Sequence, residues 1–595
     1  MTDERTRKQL TAAEFIDIWA NKFVGVKKED GKGYWEGQHQ RNEHIAIIES
    51  IELSEDLVIS DRKGLSHLIV RNCKFHKIEV INSTIKDLFV ENQCTIDDIK
   101  IHNKSTLEVV KIIESVVAGN IYIHSSTVEE LSIDENTNIE SINISASILR
   151  KIQIRRGRTS DIYISNKSKI EYISISNGTS IRDIEIYDDS TIDRIYLRNK
   201  TTIGNLLIST SKLDSIHIND EVETGYINID RAIISNSLTI QGESKIYGIN
   251  FQAKELRKLS LNDSYIQIFN WRQDTLCIVN VNRCQIERLA FTNTIVPKDS
   301  VFQFGECDIL HFYFKSFTNT AWLNISGLKP LTNYLRFQGG SDTHAQQSSV
   351  DSKYNWVKGY SLEKTSLTFI ASDLGKTSLV DCRLDKFVFY NTKLLEVFVA
   401  GTQLPKQISL PEGKTAQHEQ NEQERLAFGQ FKRIYENRGD TVSATDYLAL
   451  EMDAYHRYLK QPEVIREKGS TWAERFTIEL NRVSSYHNTN WFQAVAMTLG
   501  INGIMFAIYC YFLGYEPYVP FYSKIDWHTT LNLFSYSFEF LNPLRKADFL
   551  DKVNLEPVRD SWDWVARFWD YVSRIVVAYF VYQTVQAFRR YGKTK

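Results

Sequence analysis

The chain has 595 residues, room for several domains, with a formal net charge of −3 and 7 cysteines. So balanced a charge gives no bulk field favouring nucleic acid or anionic lipid, and binding to either would need a local patch. Cys73, Cys94, Cys277, Cys284, Cys307, Cys382 and Cys510 form no CxxC and no His/Cys cluster. That spacing argues against a structural zinc site and fits a reducing cytoplasm.

The amino terminus, Met1-Thr2-Asp3-Glu4-Arg5, is too charged for a secretory signal. Residues 1–45 are expected to form an N-terminal cap. Thr11 and Glu14 make a capping box before a short helix carrying Phe15, Ile16, Ile18, Trp19 and Phe23. Such a cap would cover a strand edge that is otherwise open to pairing.

Residues 46–251 repeat one pattern every ten or eleven positions. Thr95-Ile96-Asp97-Asp98-Ile99-Lys100-Ile101 and Thr191-Ile192-Asp193-Arg194-Ile195-Tyr196-Leu197 are two copies. Within a copy the apolar pair alternates with a polar neighbour, as in a strand with one buried face. Every second copy continues one series: Val110, Leu131, Ile152, Ile173, Ile195 and Ile216. The other series is Ile99, Ile121, Ile142, Ile162, Ile184, Leu206 and Ile227. Two copies therefore make one coil of about 21 residues, and the class is a right-handed parallel β-solenoid. Asn, Ser, Gly and Asp close most copies, as turns require. From 252 to 404 the period loosens and aromatics accumulate, which predicts wider, irregular coils of the same solenoid. A polar loop, Gly339 to Asp351, interrupts them, and Lys376–Val380, Phe387–Phe389 and Val397–Val399 again have strand character.

Residues 405–423, with Pro405, Pro411 and Gly413, read as a linker. A helical connector is expected over 424–485, with successive helices carrying Phe428 and Phe431, then Tyr447 and Leu459, then Thr471 to Val483. These helices, charged on one face, are expected to be soluble.

Residues 486–595 are expected to be a transmembrane module with two helices. No Asp, Glu, Lys or Arg lies between Arg482 and Glu516, and Trp491 to Leu513 is long enough to cross a bilayer. The second crossing is expected near Val565 to Phe588, although Arg567, Asp570 and Arg574 fall in its first half. Asp570 and Arg574, four apart, can pair on one helix face. An amphipathic helix lying on the membrane is the alternative for this segment. The basic tail after Phe588 should stay inside. The intermediate segment Trp527 to Leu544 could be interfacial, re-entrant or extramembrane. Thr498, Asn502, Gln583 and Thr584 are polar groups at membrane depth, and Glu539 is the single carboxylate of the intermediate segment. Helix packing is the expected role of the first four and solvation that of Glu539, with pore lining the alternative.

On the solenoid, Arg155 and Arg198 share an outward row two coils apart, roughly 10 Å by strand spacing. Arg150, Lys151, Arg156 and Arg158 crowd the adjacent turns, which makes a candidate anion site diluted by Asp161, Asp183, Glu185, Asp188 and Asp189. Tyr122, Tyr163 and Tyr196 also point outward and could stack on bases. No paired-carboxylate cluster can be assigned on the strand slots, and no phosphate-cradling Gly loop, nucleophile elbow or metal-binding helix motif occurs. An enzyme is not expected, and no cofactor or metal is indicated.

A pentapeptide-like solenoid, a helical connector and a C-terminal pair of membrane helices together resemble bacterial solenoid-channel proteins. The layout is similar to the channel subunit of Hailong-type anti-phage systems. The resemblance covers most of the chain and is architectural, since no short diagnostic motif matches. It implies a homo-oligomer, a tetramer in that family, in the bacterial inner membrane with a cytoplasmic solenoid. It also implies a nucleotidyltransferase partner whose DNA oligomers hold the channel closed, with the basic surface around Arg155 as ligand site. The alternative is a membrane-anchored scaffold that recruits protein partners without transport.

Overall fold

The computed structural model describes residues 8–10, 35–40, 43–49, 51–53, 56–61, 63–272, 278–331, 333–337, 356–360, 366–384, 386–394, 396–411, 416–468, 472–514, 535–546 and 562–592. The helix expected after Thr11 and the Gly339–Asp351 loop lie outside them. The chain divides into two units, one of residues 1–388 with 400–403, the other of 389–399 with 404–595.

The first unit is a parallel β-solenoid with coils of about 21 residues, in about 14 turns. Its two long sheets alternate along the chain. Lys74–Ile81, Thr95–His102, Val116–His124 and Asn138–Ser145 belong to sheet 1, and Thr84–Glu91, Thr106–Ile113, Thr127–Asp134 and Ile148–Arg155 to sheet 2. The expected series is the observed register. Val110 pairs with Leu131, Leu131 with Ile152, Ile152 with Ile173, Ile173 with Ile195 and Ile195 with Ile216. All of these side chains are fully buried. β-branched residues suit this interior because they fill a pleated surface, and identical residues then stack coil on coil.

The corners explain the rest of the repeat. Most are turned by a residue with positive φ, such as Asn82, Asn103, Ser125, Ala146, Asn166 and Asn199, and Asn is enriched in that region among non-glycine residues. A small buried residue follows. Before sheet 2 strands it is Ser83, Ser105, Ser126, Ser147 and Ser168, and before sheet 1 strands it is Cys73, Cys94, Ser115, Thr137 and Thr179. Their side chains donate to corner carbonyls: Ser147 Oγ to Ser145 O at 2.8 Å, Thr201 Oγ1 to Arg198 O at 2.6 Å, Cys94 Sγ to Glu91 O at 3.1 Å. Cys73, Cys94, Cys284, Cys307 and Cys382 thus stand where serine and threonine stand in neighbouring coils. They are packing residues with a weak donor.

At its start the array is closed by an antiparallel pair. Trp35–Gln40 runs against Glu43–Glu49, and Glu43–Glu49 lies parallel to the strand that ends at Arg71. Beyond Phe251 the interior becomes aromatic: Phe251 stacks on Trp271 at 4.3 Å, and Phe291, Phe302, Phe304, Phe312, Phe314 and Phe317 are fully buried. Gln285–Val296 and Asp308–Asn319 lengthen to 12 residues, against 8 in the regular strands, which makes room for these rings. An antiparallel pair, Asn333–Phe337 with Trp356–Tyr360, is inserted before the ladder resumes at Ser366–Ile370, paired with His311–Lys315.

The second unit is helical. We label α1 Gln417–Arg438, α2 Thr441–Leu459, α3 Pro462–Lys468, α4 Trp472–Ser485, α5 Trp491–Phe512 and α6 Asp563–Gly592. Helix α1 begins inside the stretch expected to be linker. Its first turns lack an apolar period because their polar side chains serve the segment 389–399. Tyr390 donates to Glu419 at 2.6 Å, the Asn391 backbone N–H donates to Gln423 Oε1 at 2.8 Å, and Gln430 Nε2 donates to Thr392 O at 3.0 Å. Gly439, in the left-handed conformation, ends α1, and Asp440 caps α2 by accepting from the Ser443 N–H at 3.0 Å.

Candidate functional site

The solenoid carries oppositely charged faces on the same coils. On sheet 2 the register aligns Lys151, Tyr172 and Arg194 in one outward row, and Gln153, Ser174, Tyr196 and His217 in the next. Tyr196 is sandwiched: His217 stacks on it at 5.1 Å and 12°, and the Arg198 guanidinium lies 4.3 Å from its ring. The Tyr196 hydroxyl beside Arg194 holds its guanidinium above its usual range. Burial, helped by the charges of Arg198 and Arg194, holds the His217 imidazole below its usual range, so it is a neutral ring at pH 7. A cation set beside two flat rings can bind an anion attached to a base.

The expected basic residues divide into three places. Arg155 and Arg156 are exposed at the corner that ends a sheet 2 strand, and Arg198 is exposed at the same corner two coils on. Between them lie neutral Ser176 and Asn177, while Glu135 borders the column before Arg155 and Asp220 and Glu221 border it after Lys200. Arg158 lies across the corner, where it opens a sheet 1 strand. Arg150 and Lys151 sit toward the start of their strand and already face carboxylates, Glu129 at 3.6 Å and Glu130 at 2.9 Å. The groove beside Arg150 is lined by Glu129, Lys169, Glu171 and Asp193, a mixture of signs. Arg155, Arg156 and Arg198 therefore remain the coherent set, with Arg194, Tyr196 and His217 beside Arg198. The register could have identified Arg194 and His217, since they share rows with Tyr172 and Tyr196.

Sheet 1 is acidic at these coils. The register sets Asp161 directly against Asp183, a pairing of carboxylates that the strand slots had not been expected to give. Arg182 answers both: its Nε donates to Asp161 at 3.0 Å and lies 3.4 Å from Asp183. Burial raises the Glu185 carboxyl, with Asp183 and Asp161 adding to it, and burial pushes the Tyr163 hydroxyl up to about 12. Both carboxylates of the pair are thus engaged by Arg182. Among the described residues no group of His, Cys, Asp or Glu could hold a metal ion.

The helical unit contains a second site. Helix α5 is long and apolar enough to cross a membrane, with mean hydropathy 1.6 and only 28% of its most apolar stretch buried. It is the one such helix among the described residues, which corrects the expectation of two. Helix α6 fails because Arg567, Asp570 and Arg574 interrupt its first half. The two helices pack antiparallel along their length. Trp491 meets Phe588 at 5.4 Å, Thr498 Oγ1 meets Thr584 Oγ1 at 2.8 Å, and Trp569 Nε1 donates to Met505 O at 3.2 Å.

Polar groups fill this seam. Ala566, Asp570, Ser573, Val577, Phe580, Gln583 and Ala587 are the buried stripe of α6, and Ala494, Thr498, Asn502 and Phe506 that of α5. Asn502 Nδ2 donates to Ser537 O at 2.8 Å, and Ser485 Oγ donates to Gln583 Oε1 at 3.1 Å. Thr498, Asn502, Gln583 and Thr584 are thus occupied at the helix interface. Glu539, in the helical stretch 535–540, is exposed. The strongest contact was not foreseen. Arg545, 0% exposed, donates to Asp570 Oδ1 at 2.6 Å, to Ser573 Oγ at 2.7 Å and to Phe540 O at 2.8 Å. Arg574 Nε holds the other oxygen, Asp570 Oδ2, at 2.8 Å, the pairing that the spacing of four predicts. Two guanidiniums on one carboxylate leave an interior net charge of about +1.

Comparison with known proteins finds no matching family model, no matching curated protein and no matching solved structure.

Proposed function

We propose that this chain is an oligomeric, channel-like membrane effector whose α5–α6 hairpin enters lipid and whose solenoid carries the regulatory ligand face. The observation that carries this reading is the inverted polarity of the hairpin. Its seam holds Asp570, Arg545, Ser573, Asn502, Thr498 and Gln583, whereas its outer surface presents Phe492, Leu499, Ile504, Trp564, Phe568, Ile575, Tyr582 and Val585. Water would favour the reverse arrangement, and lipid favours this one. Of the charges in the first half of α6, Asp570 is buried and Arg574 is 23% exposed against it, while Arg567 is exposed and would reach the interface by snorkelling, so the hairpin can enter a bilayer as a unit.

On this reading the protein sits in a bacterial inner membrane with the solenoid in the cytoplasm, and acts in anti-phage defence. Its ligand is an anion carrying bases, such as a DNA oligomer made by a nucleotidyltransferase partner. Arg155, Arg156 and Arg198 would meet phosphates, and the rings of Tyr196 and His217 would meet bases. A ligand gates only if it binds the closed and open states unequally. A scaffold without transport is the second reading, favoured by the repetitive, pocket-poor surface of the solenoid.

Ion flux through the purified full chain in liposomes separates the two. Flux that an oligonucleotide changes supports the channel, and absence of flux with and without ligand leaves the scaffold. Arg155→Glu combined with Arg198→Glu should abolish oligonucleotide binding, and unchanged binding rejects that face.

A further inference from the structure

Helix α4 has two unlike sides. Inward, Ile478 packs with Tyr458, Leu459 and Val464, and Ser484 and Ser485 are buried. Outward, Trp472 is 71% exposed, Phe476 56% and Val483 44%. At 3.6 residues per turn these three fall within about 40° of one another. Trp472 and Phe476 stack on each other at 5.7 Å and 15°, making one apolar plate. Arg475 and Arg482 border one side of this stripe, and Glu479, 46% exposed and 3.2 Å from His456, falls in the same arc. Beyond Ser485 the chain turns sharply through Tyr486, His487 and Asn488, all with positive φ (47, 56 and 69), and enters α5 at Trp491. Exposed Tyr486, Trp491 and Phe492 carry the apolar surface from α4 onto the outer face of the hairpin.

We infer that α4 is an interfacial helix whose occupant is the bilayer: Trp472, Phe476, Val483 and Tyr486 enter the headgroup–acyl boundary, with Arg475 and Arg482 reaching the lipid phosphates. This rests on the reading of α5 as a membrane helix. Three features favour lipid over a protein partner. The stripe is continuous with the hairpin's apolar exterior. It consists of aromatic residues with apolar bodies, and Trp and Tyr concentrate at membrane interfaces. Cations border it, as on the polar side of helices that lie in the interface plane. On this inference the last helix of the connector departs from the expectation that the connector is soluble. The inference also gives the left-handed turn at 486–488 a purpose, which is to redirect the chain from the membrane plane into the membrane.

Nitroxide labels at Phe476→Cys, Thr477→Cys and Ile575→Cys test this in the full chain, on a Cys277→Ser background, in phosphatidylcholine–phosphatidylglycerol vesicles. The other six cysteines are buried. Positions 476 and 477 are adjacent in sequence but about 100° apart around the helix. The label at 476 should collide more with oxygen than with a water-soluble nickel chelate, and the label at 477 should show the reverse. A water-exposed 476 beside a lipid-exposed 575 overturns the interfacial helix while leaving the hairpin in the membrane. Water exposure at both overturns both. A label at 476 shielded from both reagents marks a protein contact and also overturns the inference. Lipid exposure at 476 with water exposure at 575 supports the interfacial helix and removes the hairpin from the bilayer.

Discussion

The solenoid and the α5–α6 hairpin solve the same problem in opposite senses. In the solenoid, Ile152, Ile173 and Ile195 are sealed inside while charges such as Arg155, Arg198 and Asp188 face outward. In the hairpin, Arg545 and Asp570 are sealed inside while Ile575 is 74% exposed. A hydrophobic interior is stabilised by water outside, whereas a polar seam is stabilised by having no water competing for its hydrogen bonds. On the proposed reading, the difference is that of two solvents, water around the solenoid and lipid around the hairpin.

The contrast can be broken most forcefully at Asp570. Asp570→Ala leaves two guanidiniums without their carboxylate, and removing one partner of such a pair costs roughly 3–5 kcal/mol. Detergent-solubilised protein should lose its helical melting transition at markedly lower temperature, and an unchanged transition would mean the network is solvated. In the solenoid, Ile173→Ala opens a cavity between Ile152 and Ile195 and should cost about 2–5 kcal/mol, read as a lower thermal midpoint of the strand signal. Its outward counterpart, Ile148→Ser on the preceding sheet 2 strand, should change that midpoint by no more than about 0.5 kcal/mol equivalent. Comparable losses at both positions would mean that the exposed face is covered.

The smallest effects lie at the corners. Cys94→Ser should be nearly neutral, because Ser115 occupies the equivalent corner of the next coil. Burial pushes the Cys307 thiol up to about 11 from 9.0. A raised thiol pKa keeps the neutral form, so alkylation of folded protein should stay slow through pH 9 and accelerate on unfolding. Rapid labelling at pH 8 would show that the corner is open.

Legibility in the sequence followed the range of the interactions. The solenoid register was readable residue by residue, because one side-chain period repeated from Ile99 to Ile227 dictates which neighbours stack. Asp570 and Arg574 were readable as a pair because a helix places residues four apart on one face. Arg545 was not, since it reaches Asp570 from a separate segment 25 residues away in sequence. The start of α1 was hidden for a related reason: Glu419 and Gln423 look like linker residues until their partners at 390 and 391 are in place. On the ligand face, Tyr196 and Arg198 were visible from one strand, whereas His217 joins them only through the strand that follows.

Alkaline carbonate extraction of membranes from cells expressing the full chain tests the central claim most directly, because it strips peripheral proteins and leaves embedded ones. The inverted hairpin predicts that the protein stays in the membrane pellet. Quantitative release into the supernatant would contradict it.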